Sequence, residues 1–188
     1  MKTSVLNPDL KNQIKSWKNF YKKEFGIEKD FSNIRIPDSK GGFDRLIVVV
    51  PEISSADIFL NHIRLMPGSH RCDLSLRAAD EYSNRVQIND YGVWIEDVRE
   101  PKIRNKTTFS IRHYYSFVTL KEELLFALKY YEEFGRFINT YSYSICAGSV
   151  FLDGRIPTLS CINNDGFQIT SIDMYTKDDF FGHRRAIV

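Results

Sequence analysis

The first part of the chain alternates apolar and polar positions with the period of a helix. From Leu10 onward, apolar side chains return every three or four residues until Gly26, which is the spacing of an amphipathic helix. Asn7 followed by Pro8 is a favourable helix start, and Gly26 can end the helix in the left-handed conformation. The pattern therefore predicts a helix over about residues 8–25.

Two further stretches show the same period. The segment ADIFLNHIRLM follows Ser54 and Ser55, either of which can cap a helix. The segment TLKEELLFALKYYEEFG begins with Thr119 and Glu122, the spacing of a capping box. These stretches predict a second and a third helix.

Other segments have the pattern of strands. The unbroken apolar run Leu46 to Val50 is typical of a strand buried on both faces. Alternation in TFSIRHYYSF indicates a half-buried strand, with His113 on the same face as four apolar residues. YGVWIEDV and YSYSICAG indicate two more strands, and a short one is predicted in RCDLSL. IPTLSCI and FQITSIDM, joined by NNDG, predict a hairpin whose turn adopts positive φ.

Together these elements predict an α+β fold. We expect a single domain over residues 1–188, with a mixed or mainly antiparallel sheet of about six strands covered by three helices. In this arrangement the N-terminal helix, about 8–25, packs on an α+β body of about 43–188. Strands and helices alternate too little for a doubly wound parallel sheet.

The composition indicates the general class of the protein and its expected location in the cell. Of 188 residues, 43% are apolar and 27% are charged, which is the balance of a globular protein. The three cysteines form no CxxC pair, so we expect reduced thiols and a cytoplasmic location. There is no apolar run of about 18 residues and no apolar region of a secretion signal near the start, so no membrane association is expected.

Charge is concentrated in the first helix. Residues 1–29 hold seven lysines against three acidic residues, a net charge of +4, so the remaining residues carry −2 of the overall +2. Four of these lysines, at helical spacing, form one stripe: Lys11, Lys15, Lys18 and Lys22. The stripe is a candidate binding surface for an acidic protein or for nucleic acid. The alternative is an ordinary solvated helix face, since lysine is a good helix former.

A few residues are candidates for catalysis. Cys146 stands at a predicted strand end, directly before Ala-Gly-Ser, where a thiol nucleophile could meet free backbone N–H groups. The same position also suits a small buried apolar side chain. Glu96 and Asp97 follow another predicted strand and could do acid–base work, or form a solvated turn with local ion pairs.

Histidine and metal chemistry have weaker support. His62 lies on the apolar face of the second predicted helix, which favours a hydrogen-bonded core histidine, and we expect the same of His113. His70, Cys72 and Asp73 are close in sequence, but no second ligand cluster accompanies them. Since no phosphate-loop or serine nucleophile motif occurs either, we predict no metal site and no cofactor.

The second half of the chain resembles a known family. YGVWIEDVRE and VTLKEELLFALKYYEEFGRFINTYSYSICAGSVFLDGRIPTLS resemble a family of uncharacterised bacterial proteins. The shared features are a tryptophan-centred strand followed by acidic residues, a Thr-Leu…Glu helix that stops at glycine, Cys-Ala-Gly-Ser, and Asp-Gly with a nearby proline. The resemblance covers about Leu46 to Ser160 and leaves the first helix unmatched. It implies a recurring single-domain module, and no activity, cofactor or catalytic residue follows from it.

Two functional hypotheses remain. The first is a small cytosolic binding or adaptor module that recognises a protein or nucleic-acid partner. The second is an enzyme that uses Cys146, or Glu96 and Asp97, in a cleft. The position of Cys146 separates them: exposure in a pocket beside a histidine favours the enzyme, and burial among apolar side chains favours the binding module.

Overall fold

The computed structural model describes residues 8–85 and 89–188, and these contain two β-sheets and five α-helices. The helices are α1 (Pro8–Phe25), α2 (Ser55–Leu65), α3 (Leu76–Glu81), α4 (Thr108–Ile111) and α5 (Leu120–Phe134). The strands are β1 (Arg45–Val49), β2 (Arg71–Cys72), β3 (Tyr91–Ile95), β4 (Ile103–Arg104), β5 (Tyr143–Ile145), β6 (Arg155–Ser160), β7 (Gln168–Asp173), β8 (Phe181–His183) and β9 (Ala186–Ile187). The predicted α+β class is confirmed. Asn7, predicted as the cap of α1, lies outside the described residues.

The smaller sheet has the strand order β1-β3-β9 and is antiparallel throughout. The unbroken apolar run that predicted β1 is almost completely buried from Leu46 to Val50. Its partner β3 is buried along its whole length. This sheet is therefore a core element, and only one edge of β1 is left for α1.

The larger sheet has the order β2-β7-β6-β5-β8-β4 and mixes parallel with antiparallel pairs. Its two longest strands form the predicted hairpin β6–β7. The turn contains a short 3-10 helix, Ile162–Asn164, in which Asn163 and Asn164 have positive φ of 60° and 57°. Asparagine tolerates this backbone region better than most residues, so the NNDG segment has the conformation that its composition predicted.

Helix α5 connects the two sheets. It packs on β1 of the small sheet, on β6 of the large one and on α2. Its predicted capping box is present, because Thr119 accepts from the backbone N–H of Glu122 and the Glu122 carboxylate accepts from the backbone of Thr119. Gly135 ends the helix at φ 61°, as a left-handed C-terminal residue should. Leu124 and Leu128 are buried in the main core.

Helix α1 covers the free edge of β1 with side-chain hydrogen bonds. The Trp17 indole N–H donates to the Leu46 carbonyl at 2.8 Å, and the Tyr21 hydroxyl donates to the Val48 carbonyl at 2.6 Å. The Gln13 amide oxygen accepts from the Leu46 N–H at 2.8 Å. Because these three residues recur every fourth position, one face of the helix replaces the missing neighbouring strand.

One predicted strand is wrong. The segment TFSIRHYYSF forms the short helix α4 and a turn, not a strand. Thr107 caps the helix by accepting from the Ser110 N–H at 3.2 Å, a local bond that competes with strand pairing. Of the five alternating positions from Phe109 to Phe117, only Ile111 and Phe117 are buried. His113 is exposed in the turn, so the predicted core position of this histidine is also wrong.

Two other differences concern the number of elements. The helices α3 and α4 add two short helices to the three predicted, and the strands divide between two sheets instead of one. In RCDLSL only Arg71–Cys72 is a strand, because Ser75 caps α3 by accepting from the Ala78 N–H at 3.2 Å.

Within the described ranges, every helix is too short or too polar to cross a bilayer. The three cysteines are unpaired.

Candidate binding groove

An open groove of about 690 Å³ runs between α1 and the segment 30–44. We call it the α1 groove. Its lining comprises Asp9, Leu10, Lys11, Ile14, Lys15, Lys18, Asp30, Phe31, Ser32, Ile34, Ile36, Pro37, Asp38, Ser39, Phe43, Asp44 and Trp94. The predicted lysine stripe therefore borders a concave surface and not only open solvent.

One wall of the groove is basic. Trp17 and Tyr21 hold one face of α1 against β1, and a neighbouring face of the helix lines the groove. Lys11, Lys15 and Lys18 are exposed there. Their ammonium groups have no ion-pair partner within 4.0 Å in the described part of the chain. Lys22 lies outside the groove and pairs with Glu28 at 2.8 Å, so the structure brings three of the four predicted lysines together.

The opposite wall is acidic. Asp30, Asp38 and Asp44 line it and are exposed. Asp30 accepts from the Ser32 N–H at 3.1 Å and from its hydroxyl at 2.8 Å. These bonds, and to a smaller extent the charge of Lys18, lower the pKa of Asp30. Charge of both signs thus faces the groove from its two sides.

The floor between the two walls is apolar. Leu10 and Ile14 of α1 line the groove together with Ile34 and Ile36 of the opposite segment, and all four are partly buried. Trp94 lies beneath them with 6% of its surface exposed. Its indole N–H donates to the Pro37 carbonyl at 2.9 Å, which ties the acidic wall to β3. A ligand with both charged and apolar groups matches this lining.

The candidate nucleophile Cys146 is in the core. Its side chain is fully buried, and its Sγ lies 3.9 Å from the Ser144 carbonyl. Burial, with the nearby charge of Glu123, raises the pKa of the Cys146 thiol well above its usual value. No histidine of the described residues hydrogen-bonds the thiol. These surroundings match the buried, unreactive form of cysteine.

The acidic pair after β3 is held by ion pairs. Glu96 is fully buried, where one carboxylate oxygen contacts Arg185 at 2.5 Å and Lys102 at 3.4 Å. Asp97 is exposed and accepts two hydrogen bonds from Arg45, each at 3.2 Å. The expected solvated turn is therefore correct for Asp97 and wrong for Glu96, which is buried and paired with Arg185 and Lys102.

A buried ion-pair network is the feature that sequence reasoning missed. Glu122 of α5 accepts from two nitrogens of Arg85 at 2.7 and 2.6 Å, and from the Tyr91 hydroxyl at 3.0 Å. The next residue, Glu123, accepts from Arg184 at 3.0 Å, and both partners are fully buried. The sequence signal that could have indicated this network is the pair of consecutive glutamates on a helix with an apolar inner face.

The histidine of α2 is a core residue. His62 is fully buried, and its Nε2 donates to the Leu124 carbonyl at 3.0 Å, so the predicted core histidine is confirmed. Desolvation lowers the pKa of His62 to about 3. Among the described residues, no group of three or more histidine, cysteine, aspartate or glutamate side chains is placed to hold a metal ion. His70 and Cys72 belong to the β2 region without forming such a group.

Comparison with known proteins adds no relative from which a ligand could be transferred. The resemblance to a bacterial family therefore stays a prediction. No family model, curated protein or solved structure matches this chain.

Proposed function

We propose that the protein is a small binding module that holds an extended segment of a partner protein in the α1 groove. The observation that carries this proposal is the division of one concave surface into a lysine wall, an apolar floor and an aspartate wall. A peptide can offer acidic, apolar and basic side chains within a few residues. Such charge complementarity sets the orientation of a bound segment and excludes wrong partners.

The lining argues for protein over nucleic acid. The lining holds three lysines and four aspartates, three of them on the opposite wall and Asp9 at the start of α1. A phosphate backbone would gain contacts along the lysine wall and meet repulsion from the aspartates. Proteins that bind nucleic acid by charge present a continuous basic surface instead.

The positions of the catalytic candidates also favour binding over an enzyme. Cys146 is buried beside the ion pair of Glu123 and Arg184. Glu96 and Asp97 hold arginine side chains. The unpaired thiols support our placement of the module in the reducing cytoplasm.

A peptide selection tests the proposal. Random peptides displayed on phage are selected on the wild-type protein, and binding of enriched peptides is followed by the change in tryptophan fluorescence, since Trp94 lines the groove. Changing Lys11, Lys15 and Lys18 to glutamine should weaken binding about tenfold, because exposed charge pairs contribute roughly 0.2–1 kcal/mol each. The substitutions should leave stability within about 0.5 kcal/mol per site.

The matched control changes the same number of exposed lysines outside the groove: Lys22, Lys106 and Lys177 to glutamine. This variant should bind the selected peptides like the wild type. Failure to enrich any peptide, or equal weakening in both triple variants, would contradict the proposal. Salt-dependent binding of DNA or RNA that only the groove variant loses would replace it with nucleic-acid recognition.

A further inference from the structure

A second cavity of about 180 Å³ lies where α2 begins, α3 ends and α5 begins. We call it the polar pocket. Its lining includes the side chains of Ser83, Arg85, Thr119, Lys121 and Ser149. The pocket is separate from the α1 groove and shares no lining residue with it.

Three hydroxyl groups of the pocket have an unused donor. Ser83 accepts from the Arg85 N–H at 3.2 Å, Thr119 from the Glu122 N–H at 3.2 Å, and Ser149 from the Leu120 N–H at 3.1 Å. In each case the backbone occupies a lone pair of the oxygen, and the hydroxyl proton has no acceptor among the described residues. Thr119 and Ser149 are each 1% exposed, so bulk solvent does not offer these protons an easy alternative.

Lys121 adds a positive charge in the same place. Its side chain is partly buried, and burial lowers the pKa of its ammonium group. No carboxylate of the described chain lies within 4.0 Å of it. Arg85 contributes the remaining nitrogen of its guanidinium group, Nη1, since Nε and Nη2 donate to Glu122 and Nη2 donates also to the Phe117 carbonyl.

The carboxylates around the pocket already have hydrogen-bond partners. Asp80 lines the pocket, but its two oxygens accept from the backbone N–H and the hydroxyl of Ser55 at 2.8 and 2.6 Å. Glu122 is held by Arg85 and Tyr91. Asp57 accepts from Ser54. Donors therefore exceed free acceptors in the cavity, and a complementary ligand must bring acceptors.

We propose that the polar pocket binds a small oxyanion, as the phosphate or carboxylate group of a small molecule. The ammonium group of Lys121 supplies the charge, and the hydroxyls of Thr119, Ser149 and Ser83 donate to the anion oxygens. Charge-assisted hydrogen bonds of this kind are shorter and stronger than neutral ones. The cavity is smaller than the roughly 300 Å³ at which sites for drug-sized ligands begin, which limits the ligand to a short acid or a phosphate group.

Binding is tested by titrating the full chain with inorganic phosphate and, separately, with acetate at constant ionic strength. Backbone amide NMR shifts report the site, and one of the two anions should produce saturable shifts at Lys121 and Ser149. The two arms identify whether phosphate or carboxylate is the preferred group. Changing Lys121 to methionine should weaken binding at least tenfold.

Two controls keep this test specific. Lys121→Arg keeps the charge and should retain binding, whereas Lys177→Met removes an exposed lysine elsewhere and should leave binding unchanged. Phosphate stabilises proteins generally by exclusion from their surface, so localised NMR shifts are the readout and a rise in melting temperature is not. Non-saturable shifts with both anions, or unchanged binding in a folded Lys121→Met variant, would overturn the proposal.

Discussion

Acidification from pH 7 to pH 5 should destabilise the protein through two buried histidines. His62 and His183 are both fully buried. Burial lowers the pKa of His62 from 6.5 to about 3 and that of His183 from 6.5 to about 4. Below pH 6.5 the unfolded chain therefore gains protons at both sites while the folded protein does not. Stability falls as the pH drops through 6.5, and the loss continues until the folded pKa values are reached.

The size of the effect follows from these pKa values. Each histidine costs about 1.4 kcal/mol per pH unit once the pH is well below its unfolded pKa. Between pH 7 and pH 5 the transition around 6.5 reduces this to about 2 kcal/mol per histidine, or about 4 kcal/mol for both. Carboxylates with lowered pKa, such as that of Glu52, add their loss mainly at lower pH, which is why the comparison stops at pH 5.

Urea unfolding at pH 7, 6 and 5, followed by circular dichroism, measures this loss. His62→Gln keeps a donor for the Leu124 carbonyl and cannot ionise, so it should show about half of the wild-type pH dependence. His113→Gln changes an exposed histidine in the turn after α4 and should keep the wild-type dependence. An unfolding free energy that is the same at pH 7 and pH 5, or an unaltered slope in His62→Gln, would refute the reasoning.

Two further predictions concern α1 and the thiols. Tyr21→Phe removes the hydroxyl that donates to the buried Val48 carbonyl and should lower the free energy of unfolding by about 1–3 kcal/mol. Tyr141→Phe at an exposed site should change the free energy of unfolding by less than about 0.5 kcal/mol. Equal urea midpoints for the two variants would contradict this prediction. In a Cys72→Ser variant, the buried Cys146 and Cys161 should react with a thiol reagent only after urea unfolding, and fast labelling of the native variant would show an accessible thiolate.

The elements that sequence predicted correctly are those with local signals. The capping box of α5 depends on Thr119 and Glu122 alone, three residues apart, and the turn of the β6–β7 hairpin depends on residues that tolerate positive φ. The strand predicted around His113 is wrong because it depended on a local pattern alone. An alternation over a few residues also fits a short capped helix and a turn, and only distant packing of Ile111 and Phe117 decides between them.

The candidate sites could be predicted only in part. Helical spacing placed Lys11, Lys15 and Lys18 on one face, but the segment 30–44 that completes the α1 groove has no periodicity to reveal its position. Similarly, Arg85 and Glu122 are 37 positions apart. Such a pairing depends on the tertiary fold and leaves no trace in local composition.

The hydrogen bonds from α1 to β1 have a consequence for how the chain avoids self-association. Leu46 to Val50 is a short β-prone segment without charge, the composition that favours amyloid-like stacking. While Trp17 and Tyr21 occupy its edge carbonyls, no strand of a second molecule can add there. Helix α1 precedes β1 in the chain, so during synthesis the protective helix emerges from the ribosome before the segment that it shields. Helix α1, which carries the lysine wall, therefore also covers the edge of β1 and protects it from pairing with another molecule. We expect a change that weakens the packing of α1 on β1 to lower solubility before it unfolds the protein.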